Sequence, residues 1–193
     1  MSVIITAKNE EQYIGKCISS ILKQNYANFE IIFVDAKSDD STLEIVNKLK
    51  KTQNLFPNCK KIEIISVHAN SPAKGRNIGV KISRGEIIAF TDADCIAHTT
   101  WITNMVSIIN KYDETIVGGP NILCHENSTN FLSSVDSVLS TYLGSGGSAQ
   151  FLKISQINEV SAIPACNMGM SKKLFNEIHG FDESMKFNED SDL

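Results

Sequence analysis

Long apolar runs are missing from this chain. No window approaches the roughly 20 residues that cross a bilayer as a helix. The first run, Val3-Ile4-Ile5, is too short for the core of a secretory leader, and no basic stretch precedes it. Excess basic charge is missing too. Eighteen Lys and Arg against 22 Asp and Glu leave a formal charge of -4, which excludes long-range attraction to nucleic acid or an anionic membrane. Local basic clusters remain able to hold a phosphate. The five cysteines, Cys17, Cys59, Cys95, Cys124 and Cys166, make no C-x-x-C pair. An odd, scattered set argues for reduced thiols and against a disulfide framework or a zinc site. The expectation is a cytoplasmic protein, in which the sequon Asn127-Ser128-Thr129 is a chance match. No internal repeat is visible.

What is present is alternation. Val3 to Ile5, Ile31 to Val34, Ile62 to Val67 and Ile87 to Phe90 are short apolar runs of the kind that fill a parallel sheet buried on both faces. Between them the spacing predicts helices. Asn9 is placed to cap one that carries Ile14, Ile18, Ile21 and Leu22 on a single face. Ser41-Thr42-Leu43-Glu44 reads as a capping box opening a second, with Leu43, Val46 and Leu49 inward. Gly85 follows a third, where a C-terminal glycine belongs. Such β-α repetition implies an α/β fold with helices on both faces of a mostly parallel sheet, and ligands outside the carboxyl ends of its strands.

Beyond a helix from about Trp101 to Tyr112 the alternation breaks. Val117 to Pro120 reads as a strand entering a turn, and Asn130 to Leu143 as a helix packed on the sheet. Gly144 to Ser148 reads as a flexible element, equally a surface loop or a substrate gate. Asn188 to Leu193 reads as the first turn of a helix with acidic residues at its start. A helix that short is unstable alone, so the expectation is a chain cut short at its C-terminus.

The strand ends carry the polar sequence. Thr6-Ala7-Lys8-Asn9-Glu10 follows the first run, Asp35 to Asp40 the second and Asp92-Ala93-Asp94 the fourth. Two aspartates one residue apart repel unless a cation or strong donors balance them, and hard oxygen donors of this kind suit Mg2+ or Mn2+. Alone, the tripeptide reads better as a solvated turn. Its surroundings change that. SVIITAKNEE at 2–11, DAKSDDST at 35–42, Gly75-Arg76-Asn77-Ile78-Gly79 with Arg84 to Phe90, Asn167 to Lys173 with Gly180-Phe181-Asp182-Glu183, and Glu189-Asp190 occur in the order found in a known family. In these motifs the chain resembles the family-2 glycosyltransferases of the GT-A fold.

The resemblance implies a Rossmann-like, mostly parallel central sheet in one catalytic domain spanning 1–193, with a donor half at 1–95 and an acceptor half at 96–193. It implies a nucleotide-sugar donor, typically a UDP-sugar, and a saccharide or lipid-linked acceptor. Thr6, Ala7 and Glu10 would lie near the nucleoside, Asp35 would accept from the base, and Arg76 would contact base or diphosphate. Asp92 would face the ribose and metal, and Asp94 would ligate the Mn2+ or Mg2+. Asp190 would be the general base, with Glu189 its competitor; His68 and Asn70 sit where the family often has a polar nucleotide contact. The stretch from Val117 through Gly147 resembles enzymes of bacterial exopolysaccharide synthesis, implying peripheral work at the inner membrane face. The chain departs from the family's usual pattern at Thr6-Ala7-Lys8 and Ala36-Lys37, which bear on nucleotide identity, and at His179.

Three rival enzymes fit less well. A sugar-1-phosphate nucleotidyltransferase would carry a glycine-rich basic loop after its first strand, and a dehydrogenase G-x-G-x-x-G there. A phosphatase with an aspartyl nucleophile would place D-x-D after the first strand. A sugar-nucleotide-binding module without turnover is the non-enzymatic alternative.

Overall fold

The computed structural model describes residues 1–112, 114–122, 130–141, 143–145, 151, 156–185 and 188–193. Cys124, the sequon at 127–129 and the glycine element from 146 onward lie outside them. Its elements are β1 (Ser2–Ala7), α1 (Ile14–Leu22), β2 (Phe29–Asp35), α2 (Thr42–Lys51), β3 (Cys59–Ser66), α3 (Pro72–Ile82), β4 (Ile87–Asp92), α4 (Trp101–Lys111), β5 (Val117–Gly118), α5 (Asn130–Leu139), β6 (Met168–Ser171) and α6 (Lys172–Glu177). They build a six-stranded sheet of order β3-β2-β1-β4-β6-β5. The first four strands are parallel, while β6 runs antiparallel to both β4 and β5.

Alternation along each strand divides the core in two. Val3 and Ile5 of β1 with Ile31 and Phe33 of β2 face α1, α2 and α4, packing on Ile14, Ile18, Ile21, Val46 and Ile102. Ile4, Ile32 and Val34 face the other way, onto Ala73 and Val80 of α3 and Phe175 and Phe181 near the C-terminus. Both faces are covered, which is why these strands read as unbroken apolar runs. Phe90, Phe175 and Phe181 close the second layer as a triangle of tilted rings, with centroids 5.2–5.7 Å apart.

The chain leaves β1 toward β2 on one side and returns to place β4 on the other. That reversal opens a crevice at the carboxyl ends of β1 and β4. Helix α3 reaches it because its glycines let it approach closely. A Cβ on Gly79 would stand 2.5 Å from Ile4 Cγ2, and one on Gly75 3.0 Å from Thr6 Cγ2.

Several local expectations are corrected. Asn9 does not cap α1; it has φ 59°, and its Oδ1 accepts from the Asp39 N–H instead. Ser41 makes no side-chain cap of α2; Asp40 Oδ1 accepts from the Thr42 N–H and Glu11 Oε2 from the Ser41 N–H. Gly85 is not a helix-ending glycine, since α3 ends at Ile82 with Ser83 as its cap. It is small because a Cβ would lie 2.6 Å from the backbone between Met1 and Ser2. Helix α5 stops at Leu139 and buries none of its residues, so it is not packed on the sheet. Residues 188–193 form a turn rather than a helix, with Asn188 at φ 60° and the Ser191 N–H donating to Asn188 O.

Candidate active site

The loops after β1 and β2 are laced together. The Asn9 N–H donates to Ser38 Oγ, the Glu10 N–H to Thr42 Oγ1 at 2.7 Å, and the Glu11 N–H to Asp40 Oδ2. The runs 6–11 and 35–42 thus form one wall of the crevice. Asp35, 1% exposed, holds that wall from beneath: Oδ1 accepts from the Ser38 N–H and Oδ2 from Ser66 Oγ. Ala7 is buried in the core, and its carbonyl accepts from the Ala36 N–H at 2.8 Å, joining the first loop to the second. Thr6 pairs in register with Asp92 across the β1–β4 ladder, which sets the first wall beside the Asp-x-Asp turn. His68 and Asn70 are exposed in the connection from β3 to α3.

Asp92 ends β4. Its carbonyl accepts from the Cys95 N–H and from Cys17 Sγ, and Ala93, 4% exposed, anchors the turn in the core. Asp94 is left exposed. Arg76, one turn inside α3 and 6% exposed, reaches across. Its Nη2 lies 3.0 Å from Asp92 Oδ1 and its Nη1 2.6 Å from Glu189 Oε1. The guanidinium also sits 5.5 Å from the centre of the Phe181 ring. Arg76 therefore binds the Asp-x-Asp strand end to a turn that lies 113 positions beyond Arg76 itself. The ion pairing was not visible in the sequence, which read Arg76 only as a ligand contact.

The neighbouring acids Glu189 and Asp190 point to different surroundings. Glu189 is 12% exposed at its side chain and paired to Arg76. Asp190 Oδ2 accepts from the Ala165 N–H at 3.1 Å, and the residue borders a cleft of about 950 Å3 walled by Ile116, Gly119, Ile157, Val160 and Ile163. Two residues without an assigned role support this side. Asn77 donates to Phe181 O at 2.8 Å and accepts from the Phe181 N–H, pinning the segment before the acidic turn. Asn167 accepts from Trp101 Nε1 and donates to Gly119 O. Both stood inside quoted motifs, but no local signal distinguished them.

Although 40% of the Asp92 side chain reaches solvent, burial pushes its carboxyl above the usual range. Arg76 pulls against that shift, and the nearby Asp94 and Asp190 add to it. Burial also raises Glu10, reinforced by Asp94, Asp40 and Asp92. Glu10, Asp92, Asp94 and Asp190 thus share one negative field, with Arg76 already engaged by Asp92 and Glu189. Hard carboxylate oxygens in such a field fit a Mg2+ or Mn2+ ion, which takes one or two carboxylates from protein and other oxygens from substrate phosphate. Among the described residues no group of three or more His, Cys, Asp or Glu stands ready as a complete metal cage. Asp92 and Asp94 are the two carboxylates of this strand end that could hold such an ion.

A profile of glycosyl transferase family 2 matches residues 2–178, which is most of the chain. The chain belongs to that family. This family-2 chain is 25% identical to the glycosyltransferase GlyG of Streptococcus pneumoniae over 205 residues, covering 100% of the chain and 63% of GlyG. It is 38% identical to an uncharacterized glycosyltransferase of Haemophilus influenzae over 120 residues, 62% of the chain and 35% of that relative. It is 30% identical to the poly(ribitol-phosphate) beta-N-acetylglucosaminyltransferase TarS of Staphylococcus aureus over 118 residues, 60% of the chain and 20% of TarS. The family-2 chain thus spans from a fifth to under two-thirds of these relatives' own length.

Among solved structures, S. aureus TarS 1-349 in complex with UDP-GlcNAc superposes with TM-score 0.67 at 23% identity, covering 98% of the chain and 50% of TarS 1-349. The mannosyltransferase PcManGT of Pyrobaculum calidifontis, in complex with GDP-Man and Mn2+, gives 0.70 at 18% identity, covering 98% and 49%. At these identities the likeness concerns the fold, and the fold is GT-A.

Proposed function

We propose that this chain is the catalytic core of a metal-dependent, inverting glycosyltransferase that moves a sugar from a UDP-sugar to a hydroxyl of a saccharide or lipid-linked acceptor. The observation that carries the reading is the meeting of Thr6, Arg76, Asp92, Asp94 and the 189–190 turn at the carboxyl ends of β1 and β4. TarS in complex with UDP-GlcNAc and PcManGT in complex with GDP-Man and Mn2+ support a nucleotide-sugar donor and a divalent ion. We further propose that the protein works in the cytoplasm, at the inner membrane face if its acceptor is lipid-linked; among the described residues no helix is long and apolar enough to cross a membrane.

In this reading the laced loops 6–11 and 35–42 seat the nucleoside, and Asp35 acts largely by holding their shape. Asp94 and Asp92 would hold the divalent ion, whose chemistry when bound is to offset the charge that builds on the leaving diphosphate. Arg76 fixes the orientation of Asp92. Asp190 serves as the general base, taking the proton of the acceptor hydroxyl as that oxygen attacks the anomeric carbon. Glu189 is the poorer candidate, because its carboxylate is largely buried and already taken up by Arg76 at 2.6 Å rather than open to an acceptor. A positioned base typically contributes about 10²–10⁴-fold.

The test is calorimetry with UDP, with and without Mn2+, beside a transfer assay on Asp190→Asn. Metal-dependent UDP binding that survives the substitution while transfer falls at least about a hundredfold is expected. An Asp190→Asn protein with full transfer would sink the base assignment. Binding of GDP in place of UDP would correct the donor.

A further inference from the structure

Helix α3 holds the acceptor side at two consecutive positions, and the proposed reaction has a use only for the first. Arg76 takes Glu189. Asn77 takes Phe181, 104 positions beyond it: Nδ2 donates to the Phe181 carbonyl at 2.8 Å, and Oδ1 accepts from the Phe181 N–H at 3.1 Å. The same Nδ2 lies 3.1 Å from Glu183 Oε1 on the exposed side. One side-chain amide thus pairs with both backbone groups of a residue that is 2% exposed. The backbone before Phe181 is shaped to allow this. His179 and Gly180 both lie in the left-handed region, at φ 67° and 69°. A Cβ on Gly180 would stand 2.9 Å from Asn77 Oδ1 and 2.8 Å from Phe175 Cε1, so a side chain there would push the pair apart. Beyond its backbone, Phe181 packs its ring on Phe90 and Phe175 and beneath the Arg76 guanidinium.

We propose that Asn77 is a positioning residue for the general base, fixing at Phe181 the start of the stretch that ends on Asp190. The role rests on the reading of Asp190 as that base; the hold on Phe181 does not. With Arg76 on Glu189, helix α3 grips the stretch at both ends. Among the described residues the side-chain hydrogen bonds of Asn77 go to Phe181 and Glu183, and none goes to Asp92 or to the loops 6–11 and 35–42. Asn77 therefore acts on the base and leaves the nucleotide seat alone. Removing its amide strands a buried N–H and a buried carbonyl, which regain partners only by admitting water. Phe181 then moves off α3, and the turn at 188–190 loses one of its two anchors on that helix. A misplacement of about 1 Å at a reacting group can cost on the order of a hundredfold in rate.

The test follows hydrolysis of UDP-glucose and UDP-N-acetylglucosamine by the whole chain, beside UDP titration with Mn2+. Water stands in for the acceptor: its oxygen attacks the anomeric carbon, UDP leaves and Asp190 takes the proton. Asn77→Ala and the isosteric Asn77→Asp, which cannot donate to the Phe181 carbonyl, should each lower kcat about ten- to a hundredfold. Donor KM and UDP affinity should stay within about twofold, and Glu183→Ala should match the parent. Made on Asp190→Asn, Asn77→Ala should cost less than about twofold more, since a residue acting through the base adds nothing once the base is gone. Hydrogen exchange along 181–190 should quicken in both Asn77 variants. Circular dichroism checks that each variant folds, and Asn77→Asp carries the comparison if Asn77→Ala does not. An unchanged kcat, a loss carried by KM, or an equal loss on Asp190→Asn would each overturn the role. So would Glu183→Ala reproducing it. A parent chain that neither binds UDP nor hydrolyses a donor fails the glycosyltransferase reading and the base role with it; the exchange rates alone then decide whether Asn77 holds Phe181.

Discussion

Replacing Arg76 with methionine keeps the length of the stem and removes the charge. Two carboxylates then lose their common partner. Glu189, 12% exposed, becomes a nearly buried charge without compensation, which typically costs 3–5 kcal/mol at about that order. The Asp92 pair adds little, because 40% of that side chain reaches water and exposed pairs contribute about 0–1 kcal/mol. A loss of about 3–5 kcal/mol in a domain of this size lowers the Tm by roughly 6–20 °C. Native domains hold roughly 5–15 kcal/mol in all, so Arg76→Met should fold but be marginal. Thermal unfolding followed by circular dichroism, with urea titration beside it, measures this directly. The decisive control is the double variant Arg76→Met, Glu189→Gln. Neutralising the orphaned acid should recover about 2 kcal/mol, a coupling within the range for residues in contact. A Tm shift under about 3 °C for Arg76→Met, or a double variant no more stable than the single one, would refute the claim that Arg76 joins the two ends of the site.

Two further outcomes follow from the same geometry. Asp94→Asn should remove the metal dependence of UDP binding while leaving the fold intact, and titrations that still differ with and without Mn2+ would rule out a ligand role for Asp94. Glu10→Gln should raise thermal stability slightly at neutral pH. Burial and the neighbouring acids raise the folded-state pKa of Glu10 above the ordinary carboxylate value, so its ionised form costs stability at pH above the folded value. That cost disappears as pH falls below the unfolded value. The advantage of glutamine should therefore shrink on acidification, and a gain that grows toward low pH would contradict the shared negative field.

The four parallel strands were legible because each is buried on both faces and therefore apolar without interruption. The inward faces of α1 and α2 were legible because local periodicity reports them. Motif order alone placed Asp92, Asp94, Arg76 and the pair 189–190 at one edge of one sheet. The local devices were misread where a side chain found a distant partner. Asn9 looks like a helix cap until Asp39 claims its oxygen. Ser41 looks like one until Asp40 and Glu11 act from either side. Gly85 looks like a helix terminator until the first residues of the chain pass against it.

The sequence by itself determined the fold class, the sheet edge at which the acids collect and the residue types gathered there, since these depend on burial patterns and spacing along the chain. Tertiary structure alone decided which of two adjacent acids is tied to Arg76, and that Asn77 pins the segment before them through both backbone groups of Phe181. Both follow from contacts between segments far apart in the chain. The energy of such contacts depends on burial and on a third group's position, and neither is written in the residues on either side.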